Sequence, residues 1–593
     1  MKNSYMKKSH IKKFATSLLA LSLSSAFSLS SAQAATYQVI DKGAASSLEY
    51  TYGKQENNQG QMIISGTTIY NFPVQFQYFS ESDFDNVISF AHNNYELVFE
   101  LNDIENEALL RAGEPTANDL AWAVKYLESN ANSTLFQKVG NVVAMLNDGN
   151  ETKEIVVFDQ LVTGSQDYSR STTDFINGIT NQGWIYGNAS APYLPIPFTE
   201  TDGDEVTHWV RDFSNRGYYS PDSGQTIVPL MPPEASYGGE SAIIDMSDNG
   251  IAVGYASTSV DQEALDFINN EDGGCADPDR LKAIPIEVCI QQISEGMYNA
   301  EAFKWSLDES GIVNAEALGQ LVTPHEDDPR EYVSFAQAVN SSGVVVGYAH
   351  GWWDETETAP SDNERRSFYA VVFKDGEVTD FTDDHSKYFN SRANDINDQG
   401  MAVGHVETYV NGALRQKLYY VDTTADVMEM TFPTDFFTGS SSTGYSINEN
   451  NVVVGSGEVE THNDTGQNPR RRHGFMYDIS NDLFSDLNDF LPCDSEYTII
   501  EARSINENNE ISATAVIKAP LRDAKGELYY DADGNQVFED VLRAVKLAPT
   551  GGQIDDCSAT EEKVERQGAS TGTLGLFMLL MVGFGRRIIN LKK

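Results

Sequence analysis

Val339-Asn340-Ser341-Ser342-Gly343-Val344-Val345-Val346-Gly347 returns later as Ile396-Asn397-Asp398-Gln399-Gly400-Met401-Ala402-Val403-Gly404. It returns again at Ile447 to Gly455, and in looser form at Met246 to Gly254, Ile179 to Gly187, Ile505 to Ala513 and Asn57 to Gly66. The spacing is roughly 50 residues, a period that belongs to propellers, solenoids and arrays. Each residue type has a structural reason. Asn at the start of a tight turn accepts a backbone N–H two residues on. Gly or Asn at its end supplies positive φ. The β-branched run suits a strand buried on both faces, and the closing Gly lets another backbone approach.

Around one copy, four strands can be counted. Ala302 to Trp305 alternates, Val313 to Leu318 follows a turn, Phe335 to Val339 enters the repeated turn and Val344 to Tyr348 leaves it. Short apolar runs separated by Asn, Asp and Gly turns are hairpin signals, and four strands per unit make a propeller blade. The first-strand element recurs at Val142 to Leu146, His208-Trp209-Val210, Phe368 to Phe373, Leu418 to Val421, Gly474 to Tyr477 and Leu542 to Leu547. The last copy, residues 541–548, has no later strands, and residues 35–67 have later strands but no first one. The two ends therefore complete one shared blade, which removes open sheet edges. The expected fold is all-β, a propeller of seven four-stranded blades closed by strands from both chain ends, with small helical insertions.

Blades occupy residues 141–518. An α/β insertion at 68–140 contains a strand-like stretch, Tyr95 to Leu101, and helical stretches at Glu105 to Arg111 and Ala117 to Leu127. Residues 258–300 form a second insertion and 519–540 a hairpin. Insertions of this kind gather on one face and carry binding functions.

The 593 residues carry a formal charge of −48. Five Lys lie in residues 1–34 and five Lys/Arg in 566–593, with no acids in either, so the body between them is near −58. Such a body repels itself and stays soluble. It excludes nucleic-acid backbone as a partner, which needs a cationic face. Lys7, Lys8, Lys12 and Lys13 precede an apolar stretch, Phe14 to Phe27, and Ala32-Gln33-Ala34 supplies a small-x-small exit. This is a signal peptide cleaved between Ala34 and Ala35. At the other end a linker, 549–572, closes in a spacer holding Gly568 and Gly572. It leads into the apolar Thr573 to Gly585, followed by Arg586-Arg587 and Lys592-Lys593. The segment 573–593 is a membrane-directed sorting or anchor segment with its basic end on the cytoplasmic side. Four Cys in an exported chain allow two disulfides, Cys275 with Cys289 and Cys493 with Cys557.

No His-Glu-x-x-His, Gly-x-Ser-x-Gly, Gly-x-Gly-x-x-Gly or Walker pattern occurs. Metal and catalytic residues are therefore not nominated. No cofactor is implied except calcium, for which Asp531-Ala532-Asp533-Gly534-Asn535 resembles the start of a loop that lacks the acid at position twelve. Trp352 and Trp353, just after a strand, are the nominated binding residues, as aromatics able to stack on sugar rings.

Arg472-His473-Gly474-Phe475-Met476-Tyr477 and Ala302-Phe303-Lys304-Trp305, with the turn motif, resemble the HAF repeat of bacterial extracellular proteins. The C-terminus resembles the Gly-Gly type of sorting signal processed by a rhomboid-type protease, although Gly568 and Gly572 stand apart. Together these features resemble a proteobacterial group of surface-sorted proteins of unknown function. The resemblance implies a propeller at the cell surface or outside the cell, or in the periplasm on an inner-membrane anchor if the segment is kept. Partners are then a protein or glycan ligand, the export and C-terminal processing machinery, and the membrane before processing. The expected role is non-enzymatic binding, with a secreted polysaccharide hydrolase or lyase and a structural envelope protein as alternatives.

Overall fold

The computed structural model describes residues 35–554 apart from 99–100, 202, 326–327, 329, 355–363, 463–468, 532 and 553. The expectations placed on 1–34 and 555–593, Ala34, Cys557, Gly568, Gly572, Arg586 and Arg587 among them, lie outside these residues. All described residues except Pro492–Asp494 belong to one compact unit.

That unit is a seven-bladed β-propeller. Blade 1 consists of Leu48–Glu56, Met62–Ile69, Val143–Asn147 and Thr152–Ile155, in that order across the sheet. Blade 2 is Asp174–Ile179, Ile185–Ala189, Arg216–Ser220 and Val228–Leu230; blade 3 is Ser241–Met246, Ile251–Val260, Tyr298–Asp308 and Gly311–Gly319. Blade 4 is Ser334–Val339, Val345–Trp352, Arg366–Lys374 and Glu377–Asp380. Blade 5 is Ser391–Ile396, Met401–Val410 and Ala413–Asp422, with a bridge from Tyr420 to Thr431 in the fourth place. Blade 6 is Ser442–Ile447, Val452–Glu458, Arg472–Asp478 and Leu483–Asp486. Blade 7 is Thr498–Ile505, Ile511–Pro520 and Phe538–Gly551, completed by Ala35–Asp41. The seven first strands pack against one another in a closed ring, blade 7 against blade 1. The outermost strands meet solvent, as in the mostly exposed Gly311–Gly319.

The core lies between blades. Val346, Ala370 and Val372 of blade 4 pack on Ala393, Ile396, Ala402 and Tyr419 of blade 5. The repeated Asn joins the same seams. Asn340 Oδ1 accepts the Ser342 and Val344 N–H groups at 3.1 and 3.0 Å, and its Nδ2 donates to the Asn397 carbonyl of the next blade at 3.3 Å. Asn397 donates in turn to Asn448 O at 3.1 Å, and Asn448 to Asn506 O at 3.0 Å. One side chain thus closes its own turn and ties it to the neighbour. Gly343 and Gly400 hold φ of 80° and 86°, and Asn451 takes the same position at 57°. A Cβ at Gly347 would overlap the Phe335 carbonyl of its own blade.

Several expectations are corrected. The counted unit, Ala302 to Tyr348, straddles two blades: Tyr298–Asp308 and Gly311–Gly319 end blade 3, while Ser334–Val339 and Val345–Trp352 begin blade 4. A repeat has no phase, and the link between these blades, 320–333, is no more distinctive than a hairpin loop. The shared blade is also divided differently. Residues 541–548 lie in the third strand of blade 7, and of residues 35–67 only Ala35–Asp41 joins it, pairing Val39 with Leu547. Leu48–Glu56 and Met62–Ile69 instead open blade 1, whose remaining strands follow the long insertion. His208-Trp209-Val210 is no blade strand either. It pairs with Leu194–Thr199 in an inserted hairpin, where Trp209 is buried against Tyr78 of the helical insertion at 5.4 Å.

Every insertion leaves between second and third strands, so all emerge on one face, opposite the Asn turns. They are the helical insertion, the hairpin at 194–210, the helical pair Gln262–Asn269 and Ile286–Ser294, and the hairpin at 521–537. The first contains helices Glu81–Asn94, Glu107–Arg111 and Ala117–Ser129. The expected strand Tyr95 to Leu101 opens as turn: Tyr95 is the C-cap of Glu81–Asn94, and Glu96 and Leu97 continue the turn. Cys275 and Cys289 form a disulfide in the helical pair.

Candidate functional site

In all seven blades the first strand carries a one-residue bulge against the second. The residues passed over by the pairing are Lys54, Asn177, Ile244, Gln337, Asn394, Tyr445 and Arg503. A bulge turns one side chain out of the ladder and re-aims it. All seven line a single cavity of about 310 Å³ on the propeller axis, together with Tyr186, Asp245, Arg392, Asp395, His405 and Thr443. Each bulged residue stands three positions before the turn residue of its repeat, at 57, 180, 247, 340, 397, 448 and 506. Fixed spacing with varied chemistry, inside an otherwise repeating phrase, was the signal that reading the motif alone passed over.

The cavity is polar and locally cationic. Lys54 has no hydrogen-bond partner among the described residues; burial first, then the Arg503 guanidinium, bring its ammonium down to about 8, against the pull of the Glu501 carboxylate. Arg503 lies 4.3 Å over the Tyr445 ring and meets Glu501 at 3.3 Å. Arg392 lies 4.4 Å over Tyr348 and 5.7 Å over Phe368, with no hydrogen-bond acceptor for its guanidinium among the described residues. Burial, then Arg392, push His405 down to about 4, so its ring is neutral at pH 7.

Two carboxylates in the wall hold the ring together. Asp245 accepts the Val339 N–H of blade 4 at 2.8 Å and the Tyr186 hydroxyl of blade 2 at 3.0 Å. Asp395 accepts the Ile447 N–H of blade 6 at 2.8 Å. Gln55 does the same for Ile179 N–H of blade 2, also at 2.8 Å. Burial pushes both acids up, Asp395 to about 7 with help from the Asp245 charge. Raised carboxyls mark functional sites in many proteins. Here each one caps a backbone N–H of the next blade, which is a structural task.

Trp352 and Trp353 do not line this cavity. Trp352 donates its indole N–H to Tyr332 Oη at 3.0 Å, and its carbonyl meets His385 Nδ1 at 2.9 Å. Trp353 is 38% exposed at the rim. Asp531 closes its own hairpin turn, accepting Asp533 and Asn535 N–H groups at 3.0 and 2.8 Å. Among the described residues no group of three or more His, Cys, Asp or Glu is placed to hold a metal ion. No helix among them is long and apolar enough to cross a membrane. A second cleft of about 580 Å³ lies between the helical insertion and the 521–537 hairpin. Its charged groups are already engaged: Lys525 donates to the Pro115 carbonyl at 2.6 Å, and Arg170 pairs with Glu154.

No curated protein matches the chain. Among solved structures it is similar to prolyl oligopeptidase B from Galerina marginata bound to a 25mer macrocyclization substrate, at 10% identity and TM-score 0.33, over 85% of this chain and 61% of that one. The chain thus spans about three fifths of that protein's length. Trypanosoma rangeli sialidase matches at 11% identity and TM-score 0.26, over 68% and 55% of the two chains. Exo-inulinase from Aspergillus awamori matches at 8% and 0.23, over 89% and 98%. A family model covers residues 13–587, and the chain belongs to that family, described as a protein of unknown function (DUF3466).

Proposed function

We propose that this protein is an exported, surface-associated binding propeller that takes an anionic ligand into its central channel. The observation that carries the reading is the convergence of Lys54, Arg392 and Arg503, from blades 1, 5 and 7, on one cavity in a chain of charge −48. Among the described residues Glu501 meets Arg503 at 3.3 Å and also acts on Lys54, while Arg392 is in no ion pair. In a body so acidic, three cations gathered in a half-buried channel, one of them in no ion pair among the described residues, are costly to keep unless an anion uses them. No nucleophile–base pair accompanies them, and both channel acids are spent on neighbouring backbone, so binding is favoured over hydrolysis. Export agrees with the Cys275–Cys289 disulfide, which persists in oxidising compartments. The HAF-type repeat and the C-terminal sorting segment fit the same placement.

The test is titration of the full chain with phosphate and citrate, followed by calorimetry. Binding that is lost in Arg503→Gln and Lys54→Gln supports the reading. Absence of binding by either anion at low millimolar concentration overturns it.

A further inference from the structure

The cations do not stand alone. On the blade 4 side, Arg392 meets a continuous set of aromatic rings that the fold itself does not bury. Tyr348 and Phe368 meet edge to face at 5.2 Å, Phe335 lies 5.1 Å from Tyr348, and Tyr255 of blade 3 lies 5.2 Å from Phe335. His350 stacks on Phe368 at 4.1 Å. All these rings are half-buried, unlike the fully buried Tyr369 and Tyr419 of the blade cores. Arg392 belongs to both the channel wall and this aromatic set.

Stacking fixes the guanidinium plane and leaves its in-plane N–H groups unspent, the fork geometry that carboxylates accept two at a time. Apart from Asp245 and Asp395, the rest of the lining is uncharged and rich in hydrogen-bonding groups: Asn177, Gln337, Asn394, Thr443 and the neutral His405. Inorganic anions need cations alone. Amides and hydroxyls around a cationic fork, its plane set by the rings behind it, suit a ligand that carries hydroxyls beside its carboxylate. The volume, about 310 Å³, lies at the low end of the range of small-molecule sites, about 300–1,000 Å³, and suits one terminal ring rather than a folded chain.

We propose that the channel ligand is an acidic saccharide of the uronate class, with its carboxylate on Arg392, flanked by Lys54 and Arg503, and its hydroxyls among Asn177, Gln337, Asn394 and Thr443. This rests on the anion-binding reading above and adds the ligand's chemical class to it.

The probes are trigalacturonate, its uncharged counterpart galactotriose, and inorganic phosphate, titrated calorimetrically into the full chain. The proposal expects trigalacturonate to bind at least 10-fold more tightly than phosphate, and galactotriose to bind at least 10-fold more weakly than trigalacturonate. Arg392→Lys, which keeps the charge but loses the fork, is expected to weaken trigalacturonate at least 10-fold while phosphate changes less than 3-fold. Gln337→Leu, which removes an amide from the lining, is expected to weaken trigalacturonate and leave phosphate unchanged. Equal affinities for trigalacturonate and phosphate overturn the saccharide proposal and leave the anion channel standing. Binding of none of the three overturns both. The comparison of ligands on the unaltered protein keeps the test valid if a variant fails to fold.

Discussion

Asn397 donates its side-chain N–H to the backbone carbonyl of Asn448 in the next blade at 3.1 Å, while its own carbonyl oxygen accepts the Met401 N–H at 2.9 Å. The side chain is 3% exposed, so neither partner has water to fall back on. Replacing Asn397 with Ala strands both groups, at a cost of about 1–3 kcal/mol in denaturant unfolding. Ser341→Ala, an exposed turn position next to the equivalent Asn340, is expected to stay within about 0.5 kcal/mol.

Lys54 ties binding to pH. Its ammonium sits near 8, with Arg503 lowering it and Glu501 raising it. A bound anion stabilises the charged form, so affinity is full below pH 8 and declines as pH rises through it, toward one decade per pH unit. Calorimetric titrations at pH 6.5, 7.5, 8.5 and 9.5 check this. Lys54→Gln is expected to bind more weakly at pH 6.5 and to lose that dependence.

Asp395 ties stability to pH in the opposite sense from a salt-bridged acid. Its folded carboxyl sits near 7, above the ordinary 3.8. A raised acid contributes stability while protonated. That contribution is complete below pH 4 and lost as pH rises to 7, on the order of 4 kcal/mol in all. Asp395→Asn keeps an acceptor for Ile447 N–H without the charge. It is expected to flatten the profile between pH 4 and 7 and to be the more stable protein at pH 8, as read by urea unfolding.

The Cys275–Cys289 bridge spans 14 residues within the small core of Ile268, Met297 and Tyr298. A loop of that length loses about 3 kcal/mol of closure when opened. Cys275→Ala with Cys289→Ala is expected to raise amide exchange across 261–297 and leave the blade strands protected, as checked by hydrogen-exchange mass spectrometry.

The blade count and its closure through both chain ends were legible in the repeated turn, because Asn, Gly and the Val run are dictated by local geometry. The division of labour at the closure was not. Residues 35–67 contain strands of two different blades, and only pairing across the sheet assigns Val39 to Leu547 and Ile63 to Leu146. His208-Trp209-Val210 matched the strand pattern because Trp209 is buried, though by an insertion rather than a blade. Trp352 gives its indole N–H to Tyr332, and neither it nor Trp353 lines the channel. The channel residues escaped notice because Lys54, Arg392 and Arg503 lie some 110 to 450 positions apart from one another, and only the seven-fold ring brings them together.

The central claim, that the channel is built to hold an anion, is tested most directly by diffraction from crystals soaked in selenate, with anomalous scattering locating selenium. The account predicts a selenium peak among Lys54, Arg392 and Arg503, absent when Arg392 and Arg503 are both changed to Gln. An empty channel in well-ordered crystals, with selenate bound only elsewhere, would contradict it.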